Sequence, residues 1–203
     1  MINLKKLLLT GFEPFLDYSL NPTAEIAKQL DGEIIGSWKI AGAVLPVAFS
    51  NTWEQCLLQI EKEKPDAVML LGLAAGRDKI TPERVAINCA DGDKDNDGIV
   101  KQDELIEKEG PAAYFSTLPI RKFVNALEKD DLPAGISNTA GTYLCNYLMY
   151  RVCHHFESAD QKIPAGFIHI PASEELALEL GNVPGMPQEK LADAVRKMIG
   201  CLD

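Results

Sequence analysis

Apolar residues follow two spacings along the chain, short continuous runs and helical repeats. The run over residues 66–73 is nearly all apolar, which is typical of a strand buried on both faces of a parallel sheet. Shorter runs cover residues 4–9 and 165–170. Helical spacing predicts helices over residues 23–30, 51–64, 120–129 and 144–156, and a last helix that begins at Met186-Pro187. Strands alternating with helices of this length predict an α/β fold, a single-domain three-layer α/β/α sandwich with a mainly parallel, twisted sheet.

Local signals add expected boundaries to these elements. Asn21, followed by a proline, is typical of a helix cap with proline in the first turn. Asn51, with a glutamate three residues later, resembles a capping box. Residues 33–47 contain β-like runs, which we expect to be broken at Gly36 and again at Gly42.

Composition limits the possible functions. At 203 residues, with 46% hydrophobic and 25% charged, the chain predicts one globular domain over residues 1–203, with an acidic loop excursion around residues 91–109. The formal net charge of −10 argues against a nucleic-acid partner, which would require a basic face. Neither a membrane span nor a signal peptide is recognisable, so we expect a cytoplasmic protein that binds no membrane. The five dispersed cysteines are expected to be free thiols.

One cysteine and one histidine have positions that suggest chemistry. Residues 135–150 predict a strand end, a polar turn and then a helix, so Cys145 lies in the first turns of that helix. The aligned peptide dipoles favour negative charge there, which predicts a thiol that ionises easily. His169 lies near the carboxyl end of the run over residues 165–170. We expect both side chains at the same edge of the sheet, where open α/β sheets place their sites.

A thiol beside an imidazole provides a nucleophile and a base. A third group usually orients the imidazole, and Glu83, Glu13 and Asp91 all follow predicted strands. The residues alone do not select among these three carboxylates. Taken singly, a helical cysteine or a histidine at a strand end more often has a structural role. The backbone N–H of Cys145 is positioned to help hold an oxyanion.

Four separated motifs, collinear from about residue 7 to residue 175, occur in the order found in one known family. The motifs are TGFEPF (10–15) with Asn21-Pro22, GLAAGR (72–77) with ERVAIN (83–88), SNTAGTYLCN (137–146) and GFIHIP (166–171). Together they resemble pyroglutamyl peptidase type I, the pyrrolidone-carboxylate peptidases. The resemblance implies a cysteine exopeptidase that hydrolyses the amide bond after an N-terminal pyroglutamyl residue of a peptide, through a thioester. It implies Cys145 as nucleophile, His169 as general base and Glu83 as orienting carboxylate, with no cofactor or metal, in a homo-oligomer, a tetramer.

The uncharged lactam of such a substrate calls for a small apolar slot with few polar contacts. By resemblance, the residues at this slot are Phe12, Phe15, Asn21, Leu73, Tyr143 and Leu144. Leu73 replaces a glutamine of the family, and Tyr143 replaces a phenylalanine. An alternative role for Phe12 and Phe15 is to pin their loop to the core. The alternative for Glu83 is a solvated partner of Arg77 or Arg84.

The acidic loop departs from the family and carries a rival signal. The family has an arginine near the active centre in this loop, and the only basic residue near that position here is Lys94. Residues 93–104 also fit the EF-hand ligand pattern, with acidic residues at its first, third, fifth and twelfth positions and glycine at its sixth. The alternative function is therefore a calcium-binding or otherwise degenerate, non-catalytic member of the same fold. Another alternative is an amide hydrolase that acts on a different acyl group.

Overall fold

The computed structural model describes residues 4–15 and 18–202, so residues 1–3, 16–17 and 203 of the predicted domain lie outside the described residues. The helices are α1 (Pro22–Leu30), α2 (Thr52–Glu63), α3 (Ile120–Glu128), α4 (Leu144–Ser158), α5 (Glu174–Leu180) and α6 (Gln188–Ile199). The strands are β1 (Lys5–Phe12), β2 (Ile34–Ile35), β3 (Trp38–Leu45), β4 (Ala67–Leu73), β5 (Thr81–Pro82), β6 (Val85–Ile87), β7 (Ala90–Gly92), β8 (Lys101–Glu104), β9 (Ala113–Phe115), β10 (Ala165–Ile170), β11 (Ala172–Ser173) and β12 (Gly185–Met186).

A six-stranded sheet in the order β2-β3-β1-β4-β10-β5 forms the middle of the fold. β3, β1, β4 and β10 are parallel, and the short edge strands β2 and β5 pair antiparallel. All seven residues of β4 are buried, as its continuous apolar run predicts. The predicted α/β class with a mainly parallel sheet is confirmed.

Alternate residues of the central strands supply two apolar cores. Leu7, Leu9 and Met69 face the layer that contains α1, α3 and α6. Leu8 and Val68 face the layer that contains α2 and α4. Since side chains of a strand alternate between its faces, this division confirms the predicted three layers.

Local boundary predictions have mixed outcomes. Asn21 caps α1, and its Oδ1 accepts a hydrogen bond from the backbone N–H of Thr23 at 3.1 Å, as predicted. The predicted capping box at Asn51 is wrong, because its side chain makes no capping bond. The predicted break at Gly42 is also wrong, because β3 continues through it. A Cβ at Gly42 would lie 2.0 Å from the carbonyl oxygen of Ala27, so this glycine lets α1 approach the sheet closely.

The acidic excursion is more ordered than its composition suggests. β7 and β8 pair antiparallel within it. Asp95 is only 5% exposed, and its carboxylate accepts backbone N–H groups of Phe49, Asp97 and Ile99 at 2.7, 3.0 and 2.8 Å. These hydrogen bonds fold the excursion back against the start of α2, and the expectation of a wholly exposed loop is therefore wrong at Asp95.

All five cysteines are free thiols in the structure. Cys56 and Cys153 are buried, and burial raises the pKa of each to about 12, which makes both poor nucleophiles. Across the described part of the chain, no helix has the length and apolar character needed to cross a membrane.

Candidate active site

Cys145 and His169 approach the same glycine from different elements. Cys145 is the second residue of α4 and is partly exposed. A Cβ at Gly72, near the end of β4, would lie 3.1 Å from Sγ of Cys145 and 2.5 Å from the ring of Phe167. Gly72 is also the residue that pairs with His169 across the β4–β10 ladder. The topology therefore brings the thiol and the imidazole together at the carboxyl edge of the sheet.

The start of α4 is fixed by a polar side chain that faces β6. Oδ1 of Asn146 accepts the backbone N–H of Ile87 at 2.8 Å, and its Nδ2 donates to the carbonyl oxygens of Ile87 and Cys89, each at 2.9 Å. Asn146 is only 1% exposed, so these bonds satisfy a buried amide. Sequence reasoning missed this positioning role, although a buried-face asparagine in an apolar helix is a recognisable signal.

Glu83 holds the imidazole of His169. Nδ1 of His169 lies 2.7 Å from Oε1 of Glu83, with the carboxylate fully buried and the histidine only 6% exposed. Glu83 lies between β5 and β6, where its backbone N–H donates to the carbonyl oxygen of Phe167 at 2.9 Å. A bond from Nδ1–H to the carboxylate leaves Nε2 as the ring nitrogen that can accept a proton.

The same carboxylate oxygen has a second partner, Arg77. Nη1 of Arg77 donates to Oε1 of Glu83 at 2.7 Å, and the guanidinium also donates to Thr81. The alternative role predicted for Glu83, a solvated partner of an arginine, is correct about the partner, Arg77. It is wrong about the solvent, because the carboxylate is fully buried. Arg84 instead bonds Asn138 through Nε at 2.7 Å.

Burial and these partners set the ionisation of the three groups. Burial works to raise the pKa of Glu83, but the hydrogen bond and charge of His169, helped by Ser137 and then by Arg77, hold it below its usual range. Burial lowers the pKa of His169, and Glu83 opposes that effect. Burial raises the pKa of Cys145 to about 12, with the charge of Glu83 adding to it and Arg77 opposing it. The expectation of an easily ionised thiol is wrong, because desolvation outweighs the helix dipole.

The raised pKa of Cys145 and the lowered pKa of His169 predict a neutral thiol and a neutral imidazole in the resting site, and alkylation can test this. We expect the rate at which iodoacetamide modifies Cys145 to rise from about pH 6 to about pH 9 without a plateau, because the thiolate population keeps growing below a raised pKa. The modification is followed by mass spectrometry of the Cys145 peptide. A plateau that begins below neutral pH would instead show a preformed thiolate–imidazolium pair.

The other two candidate carboxylates have different partners. Oε1 of Glu13 accepts the backbone N–H of Val47 and Nδ2 of Asn96, each at 3.1 Å. Oδ2 of Asp91 accepts the backbone N–H of Asp103 at 2.9 Å. The structure brings Glu83 to the histidine and uses Glu13 and Asp91 to hold loops.

A small apolar cavity of about 90 Å³ opens beside the thiol. The residues that line it are Phe12, Phe15, Asn21, Val47, Leu73, Tyr143, Leu144 and Cys145. Every residue that the sequence assigns to the slot is in this set. Val47 was missed, and its position just after β3, at the carboxyl edge of the sheet, is the signal that points to it.

Polar contacts outside the cavity hold its walls. Nδ2 of Asn21 donates to the carbonyl oxygen of Glu13 at 3.1 Å, which fixes the loop between Phe12 and Phe15. Phe12 is 4% exposed and contacts Phe167 at 6.4 Å between ring centroids, so it both pins the loop and lines the cavity. The hydroxyl of Tyr143 donates to the carbonyl oxygen of Lys94 at 3.3 Å, which links the opposite wall to the acidic loop.

The EF-hand-like residues make other contacts in the structure. Asp95, third in the pattern, accepts backbone N–H groups on both of its oxygens, and Glu104, twelfth in the pattern, pairs with Lys101 at 2.6 Å. Within residues 4–15 and 18–202, no cluster of three or more histidine, cysteine or acidic side chains is arranged to hold a metal ion.

Gly72 is a position whose close packing against Phe167 and Cys145 sequence reasoning missed. We expect Gly72→Ala to lower kcat about 100-fold, because its Cβ must displace the ring of Phe167 or the sulfur of Cys145, and misplacement by an ångström has an effect of that size. The free energy of unfolding should also fall, by about 1–3 kcal/mol. Gly76→Ala is the matched control, since a Cβ there meets nothing within 4 Å. Equal kinetics for the two variants would contradict the close approach at Gly72.

Comparisons with known proteins agree on one family. The family model described as "Pyroglutamyl peptidase" matches residues 5–202. A pyrrolidone-carboxylate peptidase of Oceanobacillus iheyensis is 52% identical over 200 residues, 98% of this chain and all of that protein. One of Halalkalibacterium halodurans is 50% identical over 194 residues, 95% of this chain and 96% of that protein. Two solved structures of pyrrolidone carboxyl peptidases are also similar to this chain. A mutant from P. furiosus has a TM-score of 0.94 and 43% identity over 97% of each chain. The protein from Thermococcus litoralis has a TM-score of 0.94 and 40% identity over 98% of this chain and 93% of that one.

Proposed function

This chain belongs to the pyroglutamyl peptidase family, and from that premise we propose that it is a cysteine exopeptidase that hydrolyses the amide bond after an N-terminal pyroglutamyl residue. The observation that carries the proposal is the 2.7 Å contact between His169 and Glu83 beside Cys145, at the mouth of a small apolar cavity. In this proposal Cys145 is the nucleophile, His169 the general base and acid, and Glu83 the group that orients the imidazole.

The acylation step follows from the protonation states. The thiol of Cys145 adds to the pyroglutamyl carbonyl carbon while its proton passes to Nε2 of His169. The resulting imidazolium is stabilised by the carboxylate of Glu83. The backbone N–H of Cys145, one of the first-turn amides of α4 that have no acceptor within the helix, is positioned to stabilise the oxyanion. Collapse breaks the C–N bond, and His169 returns its proton to the leaving amine.

Deacylation repeats the same transfers with water. His169, again neutral, takes a proton from a water molecule that attacks the thioester carbonyl. When the second tetrahedral intermediate collapses, the C–S bond breaks, His169 protonates the departing sulfur of Cys145, and free pyroglutamate leaves. In both half-reactions the protons pass through His169.

The cavity accounts for selection of the lactam. Its walls are aromatic and aliphatic apart from Asn21 and the Cys145 thiol. An uncharged five-membered ring is accepted there, while a free α-amine would be desolvated without a counter-charge. Leu73 contributes an apolar contact where the family has a glutamine. The six slot residues of the sequence prediction, with Val47, are proposed as the lactam-binding set.

The test of this function is a set of fluorogenic amides that differ only in the acyl group. We expect turnover of pyroglutamyl amide and none of prolyl amide, whose amine is charged, or of glutaminyl amide, whose chain is open. The open-chain substrate is checked for spontaneous cyclisation by chromatography. Turnover of another acyl amide in preference to pyroglutamyl would contradict the assignment. No comparison favours the degenerate, calcium-binding alternative.

We also propose that the chain forms a homo-oligomer, a tetramer as the family resemblance implies. An apolar face on the β6–β9 ribbon supports an interface with a second copy, because Val85 and Phe115 lie opposite each other and Phe115 is 68% exposed. We expect light scattering after gel filtration to give four times the chain mass, and Phe115→Lys to give smaller species. A wild-type chain that elutes as a monomer would contradict this proposal.

One domain over residues 1–203 and a cytoplasmic location complete the proposal. The continuous central sheet supports a single cooperative unit, and free thiols at all five cysteines support a reducing compartment. A single calorimetric transition and recovery of the native protein in the cytosolic fraction are the expected results. Separate transitions, or recovery outside the cytosol, would contradict these two points.

A further inference from the structure

We propose that Arg77 is a positioning residue for catalysis, which keeps the buried Glu83 carboxylate ionised and directed at Nδ1 of His169. The inference rests on the proposed peptidase function and adds to it a residue that does not touch the substrate. Its basis is the geometry around one carboxylate oxygen, to which both the arginine and the histidine donate.

The guanidinium of Arg77 joins three parts of the site. Nη1 donates to Oε1 of Glu83 at 2.7 Å and to Oγ1 of Thr81 in β5, while Nη2 donates to the carbonyl oxygen of Thr139 at 3.4 Å. Thr139 belongs to the loop that leads into α4 and Cys145. The arginine therefore ties the loop after β4 to the segment that carries the carboxylate and to the loop before the nucleophile.

The Glu83 carboxylate makes its hydrogen bonds with His169 and Arg77 through one oxygen, Oε1. Nδ1 of His169 and Nη1 of Arg77 both lie 2.7 Å from this oxygen, and among the described residues Oε2 of Glu83 has no hydrogen-bond partner. Glu83 is fully buried, and a buried carboxylate without a counter-charge is strongly disfavoured. Arg77 is the partner of this carboxylate that keeps its positive charge whether or not His169 is protonated.

Loss of that charge would change which nitrogen of the imidazole carries the proton. A Glu83 that takes up a proton donates it to Nδ1, and the ring hydrogen of His169 then resides on Nε2. In that tautomer Nε2 cannot accept the proton of the Cys145 thiol, and a neutral acid no longer stabilises an imidazolium. Arg77 thus acts on the reaction through Glu83 and His169.

The charged and titratable groups that face Glu83 come from three elements. They are His169 from β10, Arg77 from the loop after β4, and Cys145 from α4, whose pKa the carboxylate raises. A hydrogen bond from Arg77 lowers the pKa of Glu83, and the charge of Arg77 lowers the pKa of His169 and of Cys145. Removal of Arg77 therefore raises all three pKa values directly. Activity needs an ionised Glu83 and a neutral His169, so the acid limb of the pH profile must move to higher pH.

The experiment compares Arg77→Met, Arg77→Lys and wild type on a pyroglutamyl amide across pH. For Arg77→Met we expect kcat to fall about 10- to 100-fold with KM nearly unchanged, as for loss of a hydrogen bond to a charged group. The acid limb of kcat/KM should move up by about one pH unit. Arg77→Lys, which keeps the charge, should recover part of kcat and return the limb towards the wild-type position.

Arg84→Met is the matched control, because Arg84 directly follows Glu83 in the chain but bonds Asn138. It should keep the wild-type profile. A limb that does not move in Arg77→Met, or a fall in kcat that Arg77→Lys fails to relieve, would overturn the positioning role. Alkylation separates this inference from the proposed function, because it does not require turnover of the lactam substrate. At alkaline pH, where Glu83 is ionised in both variants, iodoacetamide should modify Cys145 more slowly in Arg77→Met than in Arg84→Met, since the charge of Arg77 lowers the pKa of Cys145. Equal rates would overturn the inference.

Discussion

Cys145→Ala is expected to hydrolyse a pyroglutamyl amide at least about 10⁴-fold more slowly than wild type, because removal of the nucleophile from a unit of this kind eliminates the covalent route. The residual rate would come from binding and oxyanion stabilisation alone. KM for the amide should change little, since Cys145 forms only one part of the cavity wall. The measurement is steady-state kinetics with the fluorogenic substrate, with thermal unfolding to show that the variant is folded.

The chain offers its own control for this result. Cys201→Ala removes another partly exposed thiol, whose Sγ lies 3.3 Å from the carbonyl oxygen of Lys197 near the end of α6. We expect it to keep wild-type kinetics and its sensitivity to iodoacetamide. Activity retained in Cys145→Ala, or lost equally in both variants, would reject Cys145 as the nucleophile.

Glu83→Gln is expected to have the second largest effect, a fall in kcat of about 10²- to 10⁴-fold. The amide cannot stabilise an imidazolium, and its NH₂ group can donate to Nδ1 of His169 and impose the wrong tautomer. Because the carboxylate raises the pKa of His169, its removal lowers that pKa further and moves the acid limb of the pH profile to lower pH. This direction is opposite to the one expected for Arg77→Met.

Asp91→Asn and Glu13→Gln are the matched comparisons, since the residues alone did not exclude either carboxylate as the group that orients the imidazole. Asp91 accepts the backbone N–H of Asp103, so its variant should affect loop stability more than the acid limb. Glu13 accepts from Val47 and Asn96 beside the cavity, so its variant should raise KM. A downward shift of the acid limb in either of these two, and none in Glu83→Gln, would contradict the role of Glu83.

Much of the fold could be predicted because β4 is apolar at every position and its neighbours β1 and β10 are similar. Such runs reveal burial on both faces without information about tertiary contacts. Gly42 shows the limit of that reasoning. A glycine that breaks a strand and one that admits a neighbouring helix look the same in sequence, and only the 2.0 Å approach of Ala27 to a Cβ at Gly42 distinguishes them.

The candidate site likewise has features that the sequence predicts and features that it does not. Topology placed Cys145 and His169 at one edge, and the family motifs singled out Glu83 among three carboxylates. The ionisation of the thiol was predicted in the wrong direction, because the helix start is visible in sequence whereas the desolvation that raises the pKa of Cys145 to about 12 depends on the packed surroundings. The contact of Arg77 with Glu83 likewise arises from two loops whose approach no local pattern predicts.

The central claim is that Cys145 is the nucleophile of a lactam-binding site, and affinity labelling tests it most directly. Pyroglutamyl chloromethyl ketone would place its methylene carbon at the sulfur, with loss of chloride and formation of a thioether. The account predicts that loss of activity coincides with one label on the Cys145 peptide, that free pyroglutamate slows it, and that the other four cysteines stay unmodified. Inactivation that follows labelling of another residue, while the Cys145 thiol remains free, would contradict it.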